Sequence, residues 1–556
     1  MQWPESGPVL PVRSNRVCAI DQFRRLVAAH SLLLASILIV IASVRIAATY
    51  TVFSFTIDEP GHFACGLEYL SKHVYRYETQ HPPLARAMVA LAPYLSGIRP
   101  GGDPNRNVEG RAVILQSGHP DRTLALMRLG ILPFFWLGGW VVYSWGRHSL
   151  GSTAGLVAVA LFTLLPPVLA HSGLACTDMA LAACTAAAFF SLVVWAESPT
   201  WKRAIALGVA AALAVLSKFT AILFLPPAAA IALLFYLASE RPRPVEVVSL
   251  IRERAATFGL AMLTAAVAIW AAYWFSWGRV PAWNLTLPAP EFFDGLLKAQ
   301  SHNQDGHPAY LLGRYSLKGW WYYFPVSLAV KTPIAFLLLL ALGNYTCVMG
   351  SAASACRPVL AFCLGILLPS MAGHVDIGVR LVLPIYAGLS IIAALGLVRL
   401  VRMRGRGQTV AALLLVWMAI SGAACHPDYL SYFNEFAGHD PANVLVDSDL
   451  DWGQDTKRLA TRLRQLGAQE VSLMLIEPLA QPLAIEDSLR RFYGLPRIKP
   501  LHFPLPAEGW NVVSPTVAKT LNLPFRPWYE LTRPTEKVGA LWLYRIPANP
   551  TLPSKP

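Results

Sequence analysis

The sequence predicts a mainly α-helical protein that crosses a membrane many times and carries a small soluble α/β appendage at its C-terminal end. Three observations predict it. The 556 residues are 55% hydrophobic and only 14% charged, whereas soluble domains carry about 25% charged residues. Apolar stretches recur at or near the roughly 20 residues that cross a hydrocarbon core. After residue 424 the composition changes to that of a small soluble domain.

Taken in order, the apolar runs lie near 26–48, 124–146, 151–170, 176–195, 203–220, 222–239, 256–276, 326–346, 358–373, 380–400 and 408–424. They make about eleven transmembrane helices. The run from 203 to 239 can be divided in more than one way. Four arginines (Arg13, Arg16, Arg24 and Arg25) precede the first run as they would in a signal sequence. That run is longer than a signal's apolar region and no cleavage site follows, so an uncleaved first helix is expected.

The net charge of +14 would suggest nucleic acid in a soluble protein. Here the basic residues fall largely in short connections, where they set orientation. With the N-terminus inside, the inner connections carry Arg147 and His148, then Lys202 and Arg203, then Arg241, Arg243, Arg252 and Arg254. Arg357 follows, and then the cluster Arg399, Arg402, Arg404 and Arg406. The outer segments are then 49–123, 171–178, 277–325, 373–380 and everything after 424. They gather Asp58, Glu59, His62, His81, Asp178, His302, His307, Asp376 and Arg380 on one side. Three regions are expected: an inner N-terminal tail (1–25), a transmembrane domain (26–424) and an outer α/β domain (425–556).

In that last region Val444–Asp447, Val471–Ile476, Trp510–Val513 and Ala540–Ile546 read as strands, and Gly453–Leu466 as an amphipathic helix. The proline-rich residues 4–11 and 550–556 read as mobile ends. The eight cysteines form no CxxC pair and no Cys/His metal spacing. They are read as small buried hydrophobes, in preference to a Cys65–Cys176 bridge. The acidic run from Asp447 to Asp455 invites a calcium reading, but an EF-hand needs Gly at its sixth position and Glu at its twelfth. Those positions hold Trp452 and Arg458. A Walker loop, HExxH, GxSxG and a GxGxxG after a strand are all absent.

Asp58-Glu59-Pro-Gly-His62 follows the first span by about ten residues and opens a helical pattern through Gly66, Tyr69 and Leu70. A charge near a bilayer is costly unless paired or functional. Asp58 reads either as a base kept ionised by the helix N-terminus or as that helix's cap. His81-Pro82-Pro83-Leu84 opens another helix, placing His81 either as an ordinary interfacial histidine or where a donor meets a phosphate oxygen. Asp178 likewise reads as a cap or as a supporting acid. Trp320–Phe324 resembles an interfacial aromatic belt. Lys331, a turn or two inside an apolar helix, either snorkels or pairs with an anion, and Arg380 offers a second cation.

These residues together resemble the polyprenol-dependent glycosyltransferases of family 39, the protein O-mannosyltransferase-like group, and the related lipid A aminoarabinose transferases. The resemblance rests on Asp58-Glu59-x-x-His62, Gly66, Tyr69-Leu70, His81-Pro-Pro-Leu84, Leu150-Gly-x-x-Ala-Gly155, Ala170-His171 and Thr177-Asp178. Trp320–Phe324, Lys331-Thr-Pro333 and Gly378-x-Arg380-x-x-Leu383-Pro384 extend it. Tyr429–Asn434 and Asp451-Trp-Gly-Gln-Asp455 match a bacterial subgroup.

The resemblance implies a GT-C membrane core with interfacial helices in the first outer loop and an outward-facing site. It implies inverting transfer of a sugar from a polyprenyl-phosphate donor to a hydroxyl on a glycan, lipid or protein, at the bacterial inner membrane. Asp58 takes the place of the catalytic base, with Glu59 beside it and Asp178 in support. His62, His81, Lys331 and Arg380 are the expected contacts to donor phosphate or substrate. His81 stands where the aminoarabinose transferases carry lysine, so a permanent charge falls to Lys331 or Arg380. The scheme requires no metal and no nucleic acid, although the acid pair leaves room for a divalent cation. The competing readings are a secondary transporter and a lipid-linked oligosaccharide ligase or polymerase.

Overall fold

The structure, a computed structural model, describes residues 29–350, 353–475, 490, 492–499 and 505–548. The expected tails at 1–25 and 550–556, the first residues of the first span and Cys18 lie outside these residues. The other seven cysteines are free thiols, Cys65 and Cys176 among them.

The chain is mainly helical, and each predicted apolar run contains a helix. Among the described residues, seven helices are long and apolar enough to cross a bilayer, or up to nine if two bent pairs each count as one span. The expected count of about eleven is not confirmed. The helices Ser31–Ala47 and Trp201–Ser217 have 17 residues each, at the lower end of the roughly 17–25 residues of a spanning helix. The bent pairs are Ser152–Phe162 with Pro166–Ser172 (69°) and Tyr323–Lys331 with Ile334–Met349 (118°).

Both breaks precede or contain proline, which cannot continue the backbone ladder. A buried break frees carbonyls that need donors. At the second break the donors come from far along the chain. Asn434 Nδ2 donates to Ala329 O and Thr332 O at 2.6 Å each, and Asn434 N donates to Val330 O at 2.8 Å. Nearby, Ile334–Met349 and Ile385–Arg402 pack through glycine. A Cβ on Gly343 would stand 2.0 Å from Ile392 O, and one on Gly396 2.2 Å from Leu339 O. Such close approach is how helices associate where the surroundings are as apolar as the side chains.

The loop 49–123 contains the expected short helices, Glu59–Lys72, Pro83–Leu95 and Arg106–Gln116, followed by Pro120–Leu129. The C-terminal region carries a five-stranded sheet. Its strands run in the order Arg497–Lys499, Glu470–Met474, Gly509–Val513, Leu541–Ile546 and Glu536–Val538. The first three are mutually parallel and the last two pair antiparallel. The amphipathic helix is Thr456–Gln465, burying Leu459, Ala460 and Leu463. It starts later than predicted because Gly453 (φ 89°) turns the chain first. The strand expected at Val444–Asp447 is a correction. Short 3₁₀ turns occupy 441–443 and 447–449, and Leu445 makes only an isolated bridge to Leu311.

Candidate active site

The two acids of the first motif point to different places. Glu59 is fully buried and saturated. It accepts from Arg128 Nε and Nη2 at 2.8 and 2.9 Å, from Thr56 N at 2.8 Å and from Ala175 N at 2.8 Å. Arg128 in turn donates to Tyr50 O and Ser54 O. This buried pair ties three segments together and leaves Glu59 no lone pair facing the opening.

Asp58 immediately precedes the helix Glu59–Lys72 but makes no side-chain cap to it. Its carboxylate, 40% exposed, instead accepts from Arg380 Nη1 at 3.1 Å. The same Nη1 lies 3.8 Å from Asp178 Oδ2. Asp178 also leaves its helix uncapped and takes Lys218 Nζ on its other oxygen at 2.8 Å. The result is an alternating row, Asp58–Arg380–Asp178–Lys218, buried at the Asp178 end and open at Asp58. Burial disfavours the charged form of Arg380, yet Asp178 and Asp58 hold its guanidinium firmly protonated.

Arg380 lies in the 3₁₀ turn Val379–Val382. Its guanidinium carbon stands 4.0 Å from the ring centre of Trp452, over the ring face. Asp447, in the left-handed region at φ 61°, faces Arg380, His307 and Asp58 closely enough to feel their charges. Burial pushes its carboxyl up from the ordinary carboxylate range, against the pull of Arg380 and His307.

The histidines form a second cluster. Glu78 accepts from Arg86 and, at 2.5 Å, from Arg106, and its carboxylate lies 3.4 Å from His81 Nδ1. His62 Nδ1 accepts from Arg86 Nε at 3.0 Å, and the two imidazoles meet edge to face at 5.3 Å. Burial, reinforced by Arg86, holds His62 well below the usual histidine range. Burial brings His81 down to about 4, against the opposing Glu78. Glu78 is held low because the attraction of Arg86, His81 and Arg106 outweighs its own burial. His81 is therefore neutral near pH 7, and the fixed positive charge beside it belongs to Arg86 and Arg106.

Lys331 is 1% exposed and donates to Leu430 O at 2.8 Å and Asp449 O at 2.5 Å, with Phe433 4.2 Å away. These bonds tie its helix to the C-terminal region. Asp376 accepts from Trp320 N at 2.7 Å. Of the residues singled out in the sequence, the structure thus brings together Asp58, Asp178 and Arg380, and pairs His62 with His81. Glu59 and Lys331 are each engaged by partners within the protein. Lys218, Glu78, Arg86 and Arg128 carried no motif of their own, and Asp447 and Trp452 lay in motifs that assigned them no place at the site. Among the described residues, no group of three or more His, Cys, Asp or Glu side chains is arranged to hold a metal ion.

Several solved structures resemble the chain distantly. ArnT from Cupriavidus metallidurans bound to undecaprenyl phosphate superimposes with a TM-score of 0.48 at 14% identity, over 71% of this chain and 70% of that one. The archaeal oligosaccharyltransferase AglB from Archaeoglobus fulgidus, in complex with an inhibitory peptide and a dolichol-phosphate, gives 0.43 at 13% identity, over 85% of this chain and 62% of AglB. No curated protein sequence gives a significant match. Residues 126–274, the stretch that holds Asp178 and Lys218, match the family model described as dolichyl-phosphate-mannose-protein mannosyltransferase, in accord with the resemblance read from the motifs of the first outer loop.

Proposed function

We propose that this protein is an inverting glycosyltransferase that moves a sugar from a polyprenyl-phosphate donor to a hydroxyl acceptor at the outer face of the membrane. The observation that carries the reading is the row Asp58–Arg380–Asp178–Lys218, in which only Asp58 keeps a carboxylate edge open. A hydroxyl is a weak nucleophile. Asp58 accepts its proton as the oxygen attacks the anomeric carbon, a contribution of about 10²–10⁴ in rate. The anomeric carbon–oxygen bond breaks and the polyprenyl phosphate leaves with the bonding electrons. Because the leaving group is already a phosphate, it needs positive charge and no proton donor.

Arg380 lines up Asp58 through its hydrogen bond, and Asp178 and Lys218 hold Arg380 from behind. Arg380 is the cation paired with this acid, and Lys218 is the one paired with Asp178 behind it. The neutral His81 donates a hydrogen bond at most, with Arg86 and Arg106 supplying charge around it. No step is routed through a metal. The regions 26–424 and 425–556 act as a transferase core and an outward-facing domain, with the N-terminus inside. The acceptor is a glycan, lipid or protein hydroxyl.

The test is the purified full chain in lipid nanodiscs, offered a panel of polyprenyl-phosphate monosaccharides and, separately, polyprenyl-diphosphate oligosaccharides. Release of polyprenyl phosphate from a monosaccharide donor, lost in Asp58→Asn, is the expected result. Consumption of only the diphosphate donors would indicate an oligosaccharide ligase. Solute movement across sealed vesicles without donor consumption would indicate a transporter.

A further inference from the structure

We propose that Trp452, carried by the C-terminal region, is a positioning residue that fixes the plane of the Arg380 guanidinium between Asp58 and Asp178. This inference rests on the transferase reading. Arg380 is 7% exposed, yet its single side-chain hydrogen bond among the described residues runs from Nη1 to Asp58. Its Nε is buried without a partner. One bond at one corner does not orient a planar group that can pivot about it. The Trp452 ring, 4.0 Å away, supplies the missing constraint, since indole is the strongest aromatic partner for a cation.

The ring is itself firmly held. Trp452 is 2% exposed, its O accepts from Ile57 N at 3.1 Å and its N donates to Gln454 Oε1 at 2.7 Å. Ser54 N donates to Gln454 O at 3.0 Å. The same loop reaches the arginine's side of the site. Val379 N donates to Asp449 Oδ1 at 3.0 Å, and Ser448 Oγ donates to Ile377 O. One loop, 447–455, therefore grips both the segment leading to Asp58 and the turn that carries Arg380. The titratable groups facing this pair include Asp58, Asp178 with its Lys218, Asp447 with His307, Asp449, Tyr323, Cys176 and His171.

The experiment compares wild type, Trp452→Phe and Trp452→Leu in nanodiscs, using whichever donor of the panel wild type consumes. Trp452→Leu is expected to lower kcat about ten- to thirtyfold with KM little changed. Trp452→Phe, which keeps an aromatic face, should recover most of the lost kcat. Unchanged turnover in Trp452→Leu, an equal loss in Trp452→Phe, or a loss carried by KM instead of kcat would each overturn the proposal. A second measurement needs no activity: thermal unfolding of Trp452→Leu, Arg380→Ala and the double variant. The Trp452→Leu cost should largely disappear once Arg380 is gone, and full additivity would overturn the proposal. If wild type consumes no donor, the transferase reading fails and this cycle alone decides the positioning role.

Discussion

Asp58 and Glu59 are neighbours in sequence and opposites in situation. Glu59 is surrounded by five donors from three segments and shut away from solvent. Asp58 has one arginine, shared with a second acid, and an open edge. A saturated carboxylate holds a fold together, whereas an undersaturated one has capacity left for chemistry. Two acids in one motif are thus sorted by the number of their partners, which their adjacency conceals.

The largest expected effect sharpens that contrast. Asp58→Asn should cost about 10²–10⁴ in turnover while leaving the thermal unfolding midpoint near wild type. Retained turnover would remove Asp58 from its role. Glu59→Gln should do the reverse in kind. Leaving Arg128 with an uncompensated buried charge costs about 3–5 kcal/mol, read as a lowered midpoint and reduced yield of folded protein. A Glu59→Gln protein that is stable but inactive would break the comparison.

Lys218→Met comes next. It strips Asp178 of its 2.8 Å partner and should lower turnover by about tenfold, with a modest loss of stability, since a charge-assisted bond contributes about 1.5–3 kcal/mol. Lys218→Arg should recover most of it. A Lys218→Met enzyme as fast as wild type would detach Asp178 from the site.

The smallest effect concerns a third kind of acid, buried but partly satisfied. Asp455 accepts from Ala540 N and Arg458, yet burial pushes its carboxyl up to about 7. Its folded pKa lies above the ordinary carboxylate value, so between about 4 and 7 the folded chain binds more protons than the unfolded chain. This residue's contribution to stability is therefore greatest in acid and declines as pH rises through that window. Unfolding midpoints measured across it should fall less steeply with pH in Asp455→Asn than in wild type. Identical slopes would show that Asp455 does not titrate there.

Much of the architecture was legible from composition and period, because apolar runs and basic connections are local signals. Asp58, Asp178 and Arg380 were legible through resemblance. Their partners were not, because the pairings are tertiary: Arg380 lies 322 residues from Asp58, Arg128 lies 69 from Glu59, and Lys218 lies 40 from Asp178. Lys218 sits where the apolar run from 203 to 239 resisted division, and that junction frees a lysine to turn toward the acid. Lys331 reads in the sequence as a cation within an apolar helix, and its two carbonyl partners, Leu430 O and Asp449 O, lie too far along the chain to be read there. Trp452 entered the sequence reading as the residue that spoiled a calcium loop and as part of Asp451-Trp-Gly-Gln-Asp455, with no role at the site. The same indole stacks on the arginine.

The backbone bonds from Ser54 and Ile57 to the Trp452–Gln454 turn also bear on how such a chain can be re-engineered. A chimera that exchanges only the residues after 424 would graft a foreign surface onto an unchanged entry segment. Compatible tail exchange should require the stretch around 51–58 to travel with it, as though the two distant pieces formed a single inherited cassette.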